Sequence, residues 1–154
     1  MVNTKIKQWL GMSPEDLDKI YSSAKAGELP KGDTRGTAIV AGSIFARCIA
    51  AFARCFGWQG KVFDIFAPPD HGLLINKVSC FSLTFVVAKV YKDKSWLDGK
   101  ETIVIDYSTT SFFAKAIRDE IREVEPGVYL GVVFWGQKKA GKKPFLRFAL
   151  ASKS

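Results

Sequence analysis

The groups in this chain that could do acid–base or recognition chemistry are carboxylates, tyrosines and basic residues, since it has one histidine and three cysteines. A zinc site draws on several Cys and His ligands at close spacing; Cys48, Cys55, Cys80 and His71 are scattered. A Ser-His-Asp triad is excluded on similar grounds: His71 would have to be its base, and no nucleophile elbow is present. There is no P-loop, and no Gly-x-Gly-x-x-Gly opening a helix after a strand. The inventory implies no metal and no cofactor. It leaves proton transfer, of the lyase, isomerase or cyclase kind on an apolar substrate, as the compatible chemistry.

Which polar groups could converge depends on strand alternation, where a mid-strand Lys or Arg usually marks the solvent side. With Lys61 outside, Trp58, Gly60, Val62 and Asp64 point inward. With Lys77 outside, Leu74, Asn76, Val78 and Cys80 do so; with Lys89 outside, Val86, Ala88 and Val90; with Arg147 outside, Leu146, Phe148 and Leu150. Asp106 and Tyr107 take opposite faces of one run, so one of them faces in. On the next run Asp119 and Glu123 share one face, and Glu120 and Arg122 share the other. The expected ligand-orienting set is Asp64, Asn76, Asp106, Tyr107, Glu120, Arg122 and Tyr129. Asp106 and Glu120 are the candidate catalytic carboxylates. Desolvation would raise the pKa of either one unless Arg122 lies beside it.

The elements that must hold these residues are short β-forming runs broken by turn signals. They are Leu73–Phe81, Leu83–Tyr91, Thr102–Tyr107, Glu120–Val124, Val128–Trp135 and Pro144–Ala151, preceded by Thr34–Gly42 and Trp58–Phe66. Connections this short join antiparallel neighbours, because a parallel crossover needs about a dozen residues. Ser13-Pro14-Glu15-Asp16 reads as a helix start with a cap, a proline in the first turn and two carboxylates at the positive end of the dipole. Gly27 is the expected stop. Ser43–Phe56 carries Ile44, Phe45, Cys48, Ile49, Phe52 and Phe56 at helical spacing, and Ser111–Arg118 suits a turn or two of helix. The expected fold is mainly β (α+β): an antiparallel, lipocalin-like β-barrel of about eight strands with an N-terminal helix and a helical insertion. One domain covers 1–154, with 1–27 helical and 34–152 the barrel containing helix 43–56.

The chain has 154 residues, is 47% hydrophobic and carries a net charge of +8. That charge raises nucleic acid or an anionic membrane as partners, but basic residues are spread along the chain and only Lys138–Lys143 is a cluster. A solvated hairpin loop explains it, so no nucleic-acid partner is expected. Peripheral membrane contact through 43–56 is kept as an alternative. The odd cysteine count, with no Cys-x-x-Cys pair, suits small buried side chains in a reducing compartment. Met1–Leu10 has no long apolar core before a cleavage site. The expected location is the cytoplasm.

Five runs resemble a group of small bacterial single-domain proteins of uncharacterised function: Trp58–Phe63, Ser95–Gly99, Ile103–Ser108, Arg118–Val124 and Pro126–Gly131. The resemblance spans most of the chain from Asp33 onward and implies one intact domain, with no catalytic residue to transfer. The lipocalin (calycin) analogy is one of fold only, since the Gly-x-Trp opening of the first strand is lacking. The functional expectation is binding of a small hydrophobic molecule in an apolar cavity with a few oriented polar groups. The alternative is an enzyme using a cavity carboxylate as acid or base.

Overall fold

A computed structural model describes residues 3–39, 44, 58–65, 71–78, 87–109, 114–136 and 141–153. Of Ser43–Phe56 only Ile44 is among them; Cys48, Cys55, Cys80 and Lys138-Lys139 lie outside the described residues. No helix among the described residues is long and apolar enough to cross a membrane.

Two short helices precede the strands, α1 (Thr4–Trp9) and α2 (Pro14–Ser23). The expected Ser13 cap forms: its hydroxyl accepts from the Asp16 N–H at 3.1 Å. Helix α1 lies within the stretch 1–27 expected to be helical, but as a helix separate from α2. Asn3 caps it, accepting from the Lys5 N–H at 2.8 Å. α2 stops at Ala24 rather than Gly27. Gly27 instead takes φ +74° in the link to the first strand, where a Cβ would lie 2.5 Å from Glu123.

Eight strands follow: β1 (Gly32–Ile39), β2 (Trp58–Ile65), β3 (His71–Val78), β4 (Val87–Lys94), β5 (Glu101–Asp106), β6 (Ile117–Glu125), β7 (Val128–Trp135) and β8 (Leu146–Ser152). Each pairs with the next, and β8 pairs antiparallel with β1, so the sheet closes into a barrel. Closure leaves no strand edge to protect. The strand count and antiparallel order agree with the expectation. Boundaries differ: β1 begins at Gly32, and β6 begins at Ile117, inside the stretch expected to be helical.

Apolar residues form two cores. The inner one includes Phe63, Leu74, Ile103, Ile121, Phe148 and Leu150. The outer one packs Ile6, Trp9, Leu17 and Tyr21 of the helices against Leu130, Val132 and Phe134 of β7 and their neighbours. β7 is therefore buried at every position but its last, and it reads as an unbroken apolar run rather than an alternating one. The link between α2 and β1 sends Ala26 and Leu29 into the inner core, held by Glu123 N–H donating to the Lys25 carbonyl at 3.1 Å. That link closes the barrel end where β6 turns into β7.

One strand reverses the expected alternation. The β2–β3 register shifts between Trp58 and Gly60, and Gly60 sits at φ +132°, where a Cβ would lie 2.1 Å from the Thr34 carbonyl oxygen. Such a bulge adds one residue and swaps the faces beyond it. Phe63 consequently belongs to the inner core, and Trp58, partly buried, packs against the same cluster. The assignment of Lys61 to the outside, and of Asp64 to the inside, is corrected on that ground. Lys61 is 3% exposed, and Asp64 is solvent-exposed. The Thr34 hydroxyl clamps the bulge, donating to the Lys61 carbonyl at 2.6 Å and accepting from its N–H at 3.2 Å.

Candidate functional site

Inside the barrel, three polar side chains from three parts of the sheet meet. The Lys61 ammonium donates to the Tyr107 hydroxyl at 2.6 Å and to Asp119 Oδ2 at 3.0 Å. The Tyr107 hydroxyl donates to the same Oδ2 at 3.1 Å. Asp119 faces inward because it pairs with Ile105, an inner-core residue of β5. Tyr107 follows β5 by one residue, in phase with Ile103 and Ile105. The rings of Trp58, Tyr107 and Phe148 surround the ammonium, with centroids 5.8, 5.4 and 5.6 Å away. Contacts of that length are in cation–π range.

Burial opposes the charge on Lys61, but Tyr107 and Asp119 outweigh it and hold its pKa above the usual lysine value. The carboxylate at this distance favours the charged form of the Lys61 ammonium. The pair carries no net charge.

The expected candidates divide between the two faces of the sheet. Tyr107 and Tyr129 belong to the inner core. Tyr129 donates to the Glu28 carbonyl at 3.3 Å, and burial together with Glu123 pushes its phenol pKa up. Asn76 stands on β3, and its side chain is outside what is described. Asp106 does not face inward. On the outer side it accepts from the Tyr91 hydroxyl at 3.1 Å and from the Ser108 N–H at 2.8 Å. Burial opposes its ionisation, but Ser108, Tyr91 and Arg118 prevail and hold the carboxyl below the usual carboxylate range. A catalytic role through a raised pKa does not fit this environment.

Glu120 and Arg122 are fully buried, yet on the outer face, beneath α2 and the turn from Ser95 to Lys100. Glu120 accepts from the hydroxyls of Tyr21 and Ser95 at 3.1 and 2.6 Å, the Trp96 N–H at 2.9 Å and Arg118 Nε at 2.9 Å. The Arg122 guanidinium grips Asp98 at 2.7 and 2.8 Å and also donates to the carbonyls of Tyr21, Lys100 and Glu101. Arg147 likewise pairs with Asp18 of α2 at 2.7 Å. These groups fasten α2 to the barrel wall. The inward placement of Glu120 and Arg122 is thus corrected: a charge-bearing face can be buried under another element instead of lining the interior.

Lys61 and Asp119 were missed as interior groups. Gly60 in mid-strand was the available signal, because an isolated strand glycine suggests a bulge. For Asp119-Glu120, adjacent carboxylates on opposite faces, the sequence offers no way to choose. Among the described residues, no group of three or more His, Cys, Asp or Glu is placed to hold a metal ion.

No protein-family model matches the chain, and no curated protein matches its sequence. A protein from Thermomonospora curvata, known from a crystal structure, superposes with a TM-score of 0.58 over 97% of both chains at 12% sequence identity. The likeness is one of fold. It extends over nearly the whole of each chain.

Proposed function

We propose that the barrel binds one small, largely apolar molecule in its interior, with the polar end of that molecule toward Lys61, Tyr107 and Asp119. The observation that carries this reading is an ion pair buried against a cluster of apolar and aromatic side chains among the described residues of the barrel core. Replacing a buried ion pair by apolar side chains is often neutral, or stabilising by about 1–4 kcal/mol. Stability alone therefore gives a poor reason for the cluster. An interior of eight strands is wide enough either to be filled by side chains or to hold one small ligand. Lipocalin-class barrels are the fold-level analogy, and the odd cysteine count suits a cytoplasmic binder.

Native mass spectrometry of the freshly purified chain tests the reading, together with fluorescence titration by the neutral dye N-phenyl-1-naphthylamine. A co-purifying apolar adduct and saturable one-to-one dye binding are expected. Ala88→Phe, which projects a ring into the inner core, should weaken the dye by at least about tenfold, or 1.4 kcal/mol. Absence of both the adduct and saturable binding refutes the reading.

The 2.6 Å contact between Lys61 Nζ and the Tyr107 hydroxyl favours a second reading. In it Tyr107 acts as a general acid on an apolar substrate, and the ammonium stabilises the phenolate left behind. Tyr107→Phe separates the two: a binder keeps its affinity within a few-fold, whereas an enzyme loses turnover with ligand still bound.

A further inference from the structure

The two oxygens of Asp119 are used unequally. Oδ2 accepts from both Lys61 and Tyr107, whereas among the described residues nothing donates to Oδ1. A carboxylate has about four lone-pair sites, and Asp119 is 6% exposed, so an idle oxygen here is costly unless some donor reaches it. Trp96 Nε1 is the one described side-chain polar atom that is both enclosed and unpaired, so Asp119 Oδ1, with no donor among the described residues, keeps some accessible surface. Among the described residues, the charged side chains of the cluster are Lys61, positive, and Asp119, negative.

We infer that the interior site selects a neutral ligand bearing a hydroxyl or N–H, which donates to Asp119 Oδ1, and discriminates against carboxylates. This deepens the binding reading proposed above and rests on it. An acidic ligand would bring an uncompensated negative charge beside the ionised Asp119, in a low-dielectric interior where like charges repel strongly. A purely apolar ligand would leave Oδ1 without a donor. A neutral donor satisfies both conditions.

The experiment uses the full chain and three naphthalenes sharing one body: 2-naphthol, 2-methylnaphthalene and 2-naphthoate. Hydroxyl and methyl are close in size, and a simple greasy cavity prefers the methyl compound, because burying apolar surface is what drives its binding. The expected result is the opposite order, with naphthol bound at least tenfold tighter than either companion. Asp119→Asn should abolish that preference and, by leaving the site net positive, raise naphthoate affinity relative to naphthol. The probe comparison on the unaltered chain decides the matter even if the variant fails to fold. Methylnaphthalene or naphthoate binding as tightly as naphthol, or more tightly, overturns the inference and leaves the binding reading standing. Saturable binding by none of the three overturns the binding reading, and this inference with it.

Discussion

Lys61 on β2 and Asp119 on β6 stand on opposite sides of the eight-stranded ring, four strands apart in either direction, and their side chains meet 3.0 Å apart inside it. The ion pair therefore spans the interior instead of lining one wall. Its reach depends on the Gly60 bulge, which turns Lys61 inward, and on the aromatic rings around the ammonium. Site and scaffold are mechanically coupled through it.

Removing one partner strands the other charge in the core. Lys61→Met or Asp119→Leu should each cost about 3–5 kcal/mol. The double substitution should return to within about 1 kcal/mol of the parent, because no unpaired charge remains. Urea denaturation of the four proteins measures this. Additive losses in the double variant would mean that the two side chains are not energetically coupled.

The alkaline limit of stability should carry the same signature. Lys61 has a folded-state pKa above its ordinary 10.5, so its contribution is complete below that value and is lost as pH rises through the folded pKa. Tyr21 is also pushed up, by burial and then by Glu120, and it fades in the same direction. Denaturant midpoints should be flat with respect to these groups up to about pH 9 and decline above pH 10. In Lys61→Met the decline should be shallower. Midpoints falling equally steeply in both proteins would contradict the assignment.

Arg122 fastens α2 to the barrel wall through the Tyr21 carbonyl and anchors the Ser95–Lys100 turn through Asp98. Arg122→Lys loses the two-pronged grip on Asp98 and most of the carbonyl contacts, and should cost about 2 kcal/mol or more. Limited proteolysis should then cut within residues 1–31 first. Dye affinity of the folded fraction should remain within a few-fold of the parent, and a large specific loss would return Arg122 to the binding site.

Gly60→Ala tests the bulge. At φ +132° the added methyl would lie 2.1 Å from the Thr34 carbonyl oxygen, so the backbone must move. Left-handed strain and clash together should cost about 3 kcal/mol or more. Thermal unfolding gives the number, and a melting point near that of the parent would show that the bulge is dispensable.

Much of the architecture was legible in the residues. The antiparallel runs, the Ser13 cap and the inward faces of β4 and β8 follow from local patterns of apolar, branched and turn-forming side chains. Inward tyrosines could be named, but the carboxylate that meets them could not. The alternation rule treats a mid-strand lysine as a solvent marker, and at Lys61 a single inserted residue inverts it. At Glu120 and Arg122 the rule fails for another reason: α2 covers the outer wall, so burial there says nothing about the interior.

By itself, the sequence determined that this chain makes short antiparallel strands behind a capped helix, because those preferences act over neighbouring residues. It also determined that any chemistry must come from carboxylates, phenols and amines, because the inventory holds little else. Only the tertiary structure decided that Lys61, Tyr107 and Asp119 converge. Their meeting depends on ring closure and on one bulge. These set which strands stand opposite and which face each residue takes, over separations of 46 and 58 positions along the chain.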